Sequence, residues 1–177
     1  VVGRPDSGRT GLINALLGRR PAHDRGYGDI ASHIAFVHGR DERVIARTAD
    51  GATLEVPLEE GALPASIVDA SEPFADLEVR LAVDSLRTVS LSIGATAEQA
   101  GEDSDAFLLT IAADAIPDVP VLLAELNRGV PGRGISAINA GLVVTKADVA
   151  ETGVLESGLD ATVERSLQPL IAAADRV

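Results

Sequence analysis

The sequence predicts an α/β domain, a three-layer α/β/α sandwich whose mainly parallel sheet carries an antiparallel hairpin at one edge. Short strand-like segments alternate along the chain with segments of helical periodicity, which is the pattern of a sheet covered by helices on both faces. Some strand-like segments are continuously apolar, as buried parallel strands are, and others alternate polar and apolar residues. The 177 residues fit one domain spanning 1–177.

The first half of the chain is expected to hold one helix and five strands. The helix covers 7–20, because apolar residues recur within it at helical spacing and because Gly18 and Pro21 end it. Asp50 and Gly51 form a hairpin turn between two strands. The first three strands are expected to pair in order as a meander, and the last two to pair with each other as an edge and an inner strand. The five segments are 33–38, 43–48, 53–56, 78–83 and 88–93.

The second half is expected to alternate buried strands with helices. The run 107–112 is continuously apolar and suits a buried parallel strand, and 141–145 is predicted as another. A helix is expected over 119–126, followed by a loop at 129–134. Apolar residues recur on one helical face over 154–174, which predicts a final helix.

Composition restricts the class of protein. Hydrophobic residues make up 46% of the chain and aromatic residues 2%, so the core must be built from Ala, Val, Leu and Ile. Without Cys, neither a disulfide framework nor a thiolate metal site can form, and the cytoplasm is the expected location. The net charge of −12 disfavours a nucleic-acid or anionic-lipid surface, so any bound phosphate must be captured locally. No apolar run approaches the length of about 18 residues that a membrane span needs.

The sequence is expected to be truncated at both ends. Val1 and Val2 have the pattern of the last residues of a strand whose beginning is missing. The chain stops at Val177, where a further strand would follow the last predicted helix. We therefore expect a fragment of a longer chain, truncated within its first strand and before its last strand.

A glycine-bounded segment leads from the first strand directly into the first helix. Glycines at both ends of such a loop let successive backbone N–H groups point at a phosphate, and the helix N-terminus adds partial positive charge. The segment differs from the phosphate-binding pattern G-x-x-x-x-G-K-[ST] at one position, where Arg9 replaces the lysine. A turn capped by Ser7 or Thr10, an ordinary helix start, explains the same residues without a ligand. The segment is Gly3, Arg4, Pro5, Asp6, Ser7, Gly8, Arg9 and Thr10, and Gly11 follows it.

Two residues of this segment carry the chemistry of the phosphate-binding interpretation. Thr10 occupies the position of the hydroxyl that ligates Mg²⁺, and Arg9 occupies that of the lysine that reaches the β- and γ-phosphates. Arg keeps the charge, but its planar fork is bulkier than an ammonium group, so the exchange is not conservative in a site built for a point charge. We therefore expect weakened triphosphate binding.

A second segment, Thr145-Lys146-Ala147-Asp148, completes the apolar strand predicted at 141–145 and continues beyond it. Fourteen of the fifteen basic residues are Arg, and the single Lys lies in this segment. The position is that of the [NT]-K-x-D motif of P-loop GTPases, in which the Asp accepts both guanine N–H groups and the Lys stem packs along the base. A solvated turn with Asp148 capping a helix is the alternative. Together the two motifs predict a P-loop NTPase fold that binds GTP or GDP with Mg²⁺.

The chain resembles the bacterial dynamin-like GTPases. Residues 12–18, with the sequence LINALLG, are similar to the L-[IV]-N-A-L-L-G run in the first helix of that family. Residues 34–39, 50–51 and 57–60 are similar to its isoniazid-inducible dynamin-like branch. The resemblance covers most of the chain. It implies a GTPase domain whose nucleotide state controls homo- or heterodimerisation, membrane remodelling through regions outside this fragment, and a peripheral position at the inner face of the plasma membrane.

Two catalytic elements of that family are incomplete here. By position, the D-x-x-G motif corresponds to residues 91–94, which keep Gly94 for a γ-phosphate contact but lack the carboxylate that supports Mg²⁺. The first switch should offer a Thr within 22–32, where Ser32 and Tyr27 are the only hydroxyl residues. We therefore expect hydrolysis to be weak or absent.

Three interpretations follow from these residues. The first is a guanine-nucleotide-binding dynamin-like domain in which Arg9, Thr10 and Gly94 are what remains of the catalytic set. The second is a non-catalytic pseudo-GTPase, an interaction module that pairs with an active partner. The third is a P-loop kinase or ATPase, in which Asp148 would have no role. Nucleotide affinity separates the first two interpretations.

Overall fold

A computed structural model of the chain describes residues 1–21, 26–94, 104–113, 121, 124 and 140–146. The chain divides into two compact units, one made of 1–9 with 101–177 and the other of 10–100. The helical segments of the described residues are α1 (Arg9–Leu17), α2 (Tyr27–Ile30), α3 (Ala65–Val68) and a 3-10 turn at Asp84–Arg87. The strands are β1 (Ala31–His38), β2 (Arg43–Arg47), β3 (Thr53–Pro57), β4 (Phe74–Leu81), β5 (Leu91–Gly94), β6 (Phe107–Ala112) and β7 (Ala140–Thr145).

The unit 10–100 contains a five-stranded sheet with the order β3-β2-β4-β1-β5. β1 and β4 are parallel, whereas the other three pairings are antiparallel. Burial alternates along β4, because successive side chains of a strand point to opposite faces, and it places Leu77, Val79 and Leu81 in the core. Ile34 and Phe36 of β1 lie beside Leu77 and Val79 in register and are buried with them. The core of this unit therefore lies on one face of the sheet.

The strands predicted in this unit are confirmed, but two predicted pairings are wrong. β1 does not pair with β2 to open a meander, because β4 lies between them. β4 and β5 do not pair with each other, because β1 separates them. An alternating pattern determines which face of a strand is buried but does not identify the neighbouring strand, so both errors have one cause. The β2–β3 hairpin is confirmed, with Gly51 at a φ of 88° in its turn.

The first helix ends in a Schellman motif. Gly18 adopts a φ of 66°, which glycine tolerates without a Cβ penalty. Its N–H donates to the carbonyl of Ala15 at 3.2 Å, and the N–H of Arg19 donates to the carbonyl of Asn14 at 3.2 Å. Gly18 is confirmed as a residue that ends the helix, although the helix spans Arg9–Leu17 rather than 7–20.

The unit 1–9 with 101–177 contains the parallel strands β6 and β7. Leu109 of β6 pairs with Leu142 of β7, and on its other side it forms a parallel bridge with Val2. The predicted buried parallel strand at 107–112 is confirmed. The second one, predicted to be buried over 141–145, is half-exposed along the described β7, so that part of the prediction is wrong.

The described strands form a mixed rather than a mainly parallel arrangement. Three of their pairings are antiparallel and two are parallel, because the β2–β3 hairpin packs against β4 and because β5 runs against β1. The helix predicted over 119–126 is described only at residues 121 and 124, which are helical. The loop predicted at 129–134 and the helix predicted at 154–174 lie outside the described residues. Among the residues that the structure describes, no helix is long and apolar enough to cross a bilayer.

Candidate functional site

The glycine-bounded loop begins where Val2 leaves its bridge to β6. The Val2 N–H donates to the carbonyl of Leu108 at 2.9 Å, and the Thr110 N–H donates to the carbonyl of Val2 at 2.8 Å. One residue bonded in this way to two residues of its neighbour is the pattern of a parallel ladder. Residues 1–2 therefore run parallel to β6 before the loop begins. The loop then runs directly into α1, which begins at Arg9. The structure thus has the strand, loop and helix in the order that the sequence predicts.

Two loop residues on either side of Ser7 adopt left-handed backbone conformations. Asp6 has a φ of 61° and Gly8 a φ of 84°. Asp tolerates this region better than most residues, which explains why a non-glycine residue occupies position 6. Left-handed residues in such loops can turn backbone N–H groups toward one concave side, an arrangement that binds anions. The N–H of Ser7, between them, donates to the carbonyl of Arg4 at 3.2 Å. The side chain of Asp6 is exposed.

Neither loop glycine can be replaced by a larger residue without moving its neighbours. A Cβ on Gly3 would lie 2.5 Å from the Oγ of Ser7 and 2.6 Å from the carbonyl oxygen of Thr110. A Cβ on Gly8 would lie 2.8 to 2.9 Å from the side chain of Thr145, in addition to the strain of its positive φ. Close packing therefore requires both glycines of the pattern, and the positive φ of Gly8 favours glycine there as well.

The hydroxyl of Thr110, which was not predicted as a site residue, is hydrogen-bonded to the loop. Thr110 of β6 is fully buried, and its Oγ1 lies 2.8 Å from the Oγ of Ser7, which is also buried. The Oγ1 of Thr110 also donates to the carbonyl of Val2 at 3.2 Å. The signal in the sequence was a single hydroxyl residue inside the continuously apolar run 107–112. The prediction of a buried strand gave no reason to single out Thr110, because one Thr does not disturb an apolar pattern.

The two sequence motifs meet at Thr145. Its hydroxyl donates to the carbonyl of Ser7 at 2.7 Å and also lies 3.2 Å from the carbonyl of Ile111. Residues 138 positions apart in sequence are thereby joined by one hydrogen bond. Thr145 was predicted as part of a base-binding segment, and the structure places its hydroxyl on the backbone of the glycine-bounded loop.

The residues that follow Thr145 are described only in part. Lys146 is exposed and adopts a φ of 54°, so the backbone turns sharply as soon as β7 ends. A long cationic side chain at such a turn is free of the rotamer restrictions imposed within a sheet. Asp148, the other predicted base-binding residue, lies outside the described residues.

The start of α1 is linked to α2 in the unit 10–100. The backbone N–H of Tyr27 donates to the Oγ1 of Thr10 at 3.3 Å. The phenol of Tyr27 donates to the Oδ1 of Asn14 at 2.7 Å, and its ring packs edge-on against Phe36 with centroids 5.2 Å apart. Tyr27 is buried, so its hydroxyl is engaged in this packing rather than presented at the surface as a switch residue. Ser32, the other hydroxyl of that segment, is the second residue of β1.

The residues expected to match D-x-x-G form the regular strand β5. Gly94 ends this strand in register with His33, and Ile93 pairs with Ile34. Ile93 and Gly94 are buried, and residues 91–94 contain no carboxylate. Within the described ranges, no three His, Cys, Asp or Glu side chains cluster in a way that could hold a metal ion.

Comparison with known proteins defines the fold. No protein family and no curated protein matches the chain. Two solved structures are similar to it, both described as an oligomerised bacterial dynamin pair that provides a mechanism for long-range sensing and tethering of membranes. The first has a TM-score of 0.59 at 14% identity, and the second has 0.59 at 12% identity. Each match covers 96% of this chain and 28% of the other, so this chain has a dynamin-like fold and spans about 28% of the length of those proteins.

Proposed function

We propose that this chain is a guanine-nucleotide-binding, dynamin-like GTPase domain in which GTP hydrolysis is weakened or lost. One observation carries the proposal: the hydroxyl of Thr145, in the predicted base-binding motif, hydrogen-bonds the carbonyl of Ser7 in the predicted phosphate-binding loop. Two motifs that meet in this way can serve the two ends of one nucleotide. A helix start capped only by its own side chains does not account for this hydrogen bond from Thr145 of β7.

The loop supports phosphate binding through its backbone. Left-handed residues at 6 and 8 and the start of α1 combine a concave set of N–H donors with the positive end of the helix dipole. Residues 3–8 would hold the phosphates, with Arg4 and Pro5 exposed at the outer side of the loop. Arg9, the first residue of α1, would supply positive charge in place of the usual lysine.

The residues present also fit Mg²⁺, though with a reduced set of ligands. A hydroxyl oxygen has two lone pairs, and the Oγ1 of Thr10 uses one to accept the Tyr27 N–H, so one remains for a cation. Mg²⁺ usually takes few protein ligands and completes its octahedron with phosphate oxygens and water. When bound with a triphosphate it neutralises developing charge on the β- and γ-oxygens. Residues 91–94 offer no carboxylate to orient its waters, which supports weakened hydrolysis.

For the base, the proposal assigns Lys146 and Asp148. Lys146 leaves the end of β7 at an exposed turn, where its stem could lie along a base. Asp148 would accept the two guanine N–H groups and give selectivity for guanine over adenine. GTP and GDP are therefore the proposed ligands.

Association and membrane remodelling are the proposed consequences of nucleotide binding. The similar structures are described as an oligomerised pair that tethers membranes, which supports pairing of this domain with a like or unlike partner. We place the chain in the isoniazid-inducible branch on the sequence of 34–39 and 57–60. The proposed location is the cytoplasm, peripheral at the inner face of the plasma membrane, with membrane contacts made by regions outside this domain.

The second candidate function is a pseudo-GTPase that acts as an interaction module for an active partner. The absence of a carboxylate in residues 91–94 and the Arg at position 9 favour it. A P-loop kinase or ATPase is the third candidate, and it leaves the match to the guanine motif unexplained.

Titration calorimetry of the intact protein with GTPγS, GDP and ATPγS in Mg²⁺ tests the proposal. We expect guanine-selective binding in the micromolar range, about −8 kcal/mol. Arg9→Lys should strengthen GTPγS binding, and Asp148→Asn should lower the preference for guanine. Absence of binding at millimolar nucleotide would support the pseudo-GTPase, and equal affinity for ATPγS would contradict the assignment of Asp148.

A further inference from the structure

Thr110 and Ser7 form a buried polar pair in an otherwise apolar environment. Within the described residues these two are the buried polar side chains, with exposed fractions of 0% and 4%. Burying a hydroxyl without a hydrogen-bond partner is costly, so the buried hydroxyl of Ser7 depends on Thr110, which itself also contacts the carbonyl of Val2. Valine has nearly the same shape as Thr and would continue the apolar run of β6. Packing alone therefore does not explain why this position has a hydroxyl.

One assignment of the protons satisfies both contacts of Thr110. The carbonyl of Val2, 3.2 Å away, can only accept, so the single proton of the Thr110 hydroxyl is assigned to it. The Oγ1 of Thr110 is then an acceptor toward Ser7, and the Ser7 hydroxyl donates to it at 2.8 Å. This chain of two hydrogen bonds turns the Ser7 side chain inward, beneath the loop. The missing side chain of Gly3 makes the approach possible, since a Cβ there would contact both partners.

The same contacts orient a backbone donor. The Ser7 side chain is held by Thr110 and its carbonyl is held by Thr145 at 2.7 Å. In a trans peptide the C=O and the following N–H point in opposite directions. The N–H of Gly8 therefore points away from Thr145, in the opposite direction within the peptide plane. Gly8 is one of the two left-handed residues of the loop, so this N–H belongs to its concave set of donors.

From this geometry we infer that Thr110 is a positioning residue of the phosphate-binding loop, because its buried hydroxyl fixes Ser7 and thereby aims the Gly8 N–H at a phosphate. The inference rests on the proposed nucleotide function for its ligand. The conformational part, that Thr110 holds the loop in its anion-binding shape, is independent of whether nucleotide binds. Thr110 itself does not touch the phosphate.

Thr110→Val in the intact protein removes the hydroxyl at nearly constant volume. We expect the dissociation constant for GTPγS to rise about tenfold, the loss of roughly one buried hydrogen bond. Amide hydrogen exchange of residues 4–9 should accelerate in the absence of nucleotide, while exchange in β1–β4 stays unchanged. Thr110→Ser, which keeps the hydroxyl, should restore both values to near those of the unmodified protein. Thr53→Val, on exposed β3, removes a hydroxyl elsewhere and should change neither.

Three outcomes would overturn the inference. They are unaltered affinity and loop exchange in Thr110→Val, equal effects of Thr110→Ser and Thr110→Val, or faster exchange spread through the whole chain. Should Thr110→Val not fold, Ser7→Ala gives the same test, because it removes the donor and leaves the Thr110 bond to Val2. If the unmodified protein binds no nucleotide, the proposed function fails, and the exchange measurement alone decides whether Thr110 holds the loop.

Discussion

The loop at residues 3–8 and the strand β5 were expected to form two parts of one nucleotide site, the phosphate-binding loop and the D-x-x-G motif. Their structures differ. At the loop, the hydroxyls of Ser7 and Thr110 bond to each other, and the hydroxyls of Thr110 and Thr145 bond to the carbonyls of Val2 and Ser7. In β5, the position expected for a carboxylate is occupied by Leu91, and the strand is a regular antiparallel partner of β1. The backbone of the loop is fixed by side-chain hydrogen bonds from β6 and β7, whereas β5 is fixed by its pairing with β1.

Under the proposed function, binding a nucleotide and hydrolysing it would depend on different parts of the chain. Binding phosphates needs a backbone of fixed shape, and the hydrogen bonds of Ser7 fix the backbone of the loop. Hydrolysis needs groups that orient Mg²⁺ and water, and residues 91–94 provide no such side chain. Substitutions in the loop and in the five-stranded sheet should then have separate effects on stability and on nucleotide binding.

The largest effect is expected for Gly3→Ala. The added Cβ would lie 2.6 Å from the carbonyl oxygen of Thr110, which cannot move without distorting β6. Overpacking of this kind costs about 3 kcal/mol, and it should abolish nucleotide binding. Urea unfolding and hydrogen exchange would measure it, with faster exchange in β6 and β7 than in β1–β5. Uniform acceleration in both units would contradict the independence of the loop and the sheet.

A smaller, pH-dependent effect is expected at Glu42 in the other unit. The carboxylate accepts from Arg19 at 2.5 and 3.1 Å and from the Ala82 N–H at 3.1 Å. The hydrogen bonds from Arg19 are the main reason that the pKa of Glu42 is lowered from its ordinary value of 4.5. Because the folded pKa is the lower one, the stabilisation is complete above pH 4.5 and disappears as the pH falls through the folded pKa.

Glu42→Gln should therefore lower the free energy of unfolding by about 1 kcal/mol at pH 7 and by less near pH 3. Urea titrations of both proteins at the two pH values measure the difference. An effect of equal size at both pH values would show that the charge of Glu42 is not responsible. Nucleotide affinity should not change, since neither Arg19 nor Glu42 is among the residues assigned to the nucleotide.

Tyr27→Phe is expected to cost about 1 kcal/mol, because it removes the 2.7 Å hydrogen bond to Asn14 and keeps the edge-on packing against Phe36. The measurement is thermal unfolding together with exchange of the amides of α2. The Tyr27 N–H bond to Thr10 uses the backbone and should survive. A change confined to residues outside 10–100 would contradict this assignment.

The smallest effect should come from Gly11→Ala, which tests how far the restriction on glycine extends. A Cβ at this helical position meets nothing within 4 Å, in contrast to Gly3 and Gly8. Ala should stabilise α1 by about 0.5 to 1 kcal/mol. Denaturant unfolding would detect this gain. A loss of stability would mean that the space beside Gly11 is needed.

The sequence identified features that depend on local signals. The β2–β3 hairpin follows from Asp50 and Gly51, and the end of α1 follows from Gly18, because a positive φ at a turn favours glycine whatever surrounds it. The glycines of the loop and Thr145 were also predicted as site residues. Their contacts, however, depend on how β6 and β7 bring distant residues together.

Features that depend on distant contacts were not predictable in the same way. The position of β4 between β1 and β2 is a choice of neighbour that alternation does not encode. Thr110 was missed because its role appears only when the Ser7 hydroxyl lies 2.8 Å away. The exposure of β7 likewise depends on what covers it, since an apolar run alone does not distinguish full from partial burial.

The proposed function requires that the loop binds GTP while hydrolysis is weakened or lost. We would mix the intact protein, at a concentration well above the dissociation constant, with a smaller amount of GTP and Mg²⁺, and follow the nucleotide by chromatography over time. We expect the nucleotide to be bound and still recovered mainly as GTP after an hour, whereas an enzyme turning over at about 10 s⁻¹ would convert it within seconds. Conversion to GDP within seconds, or absence of nucleotide binding, would contradict the proposed function.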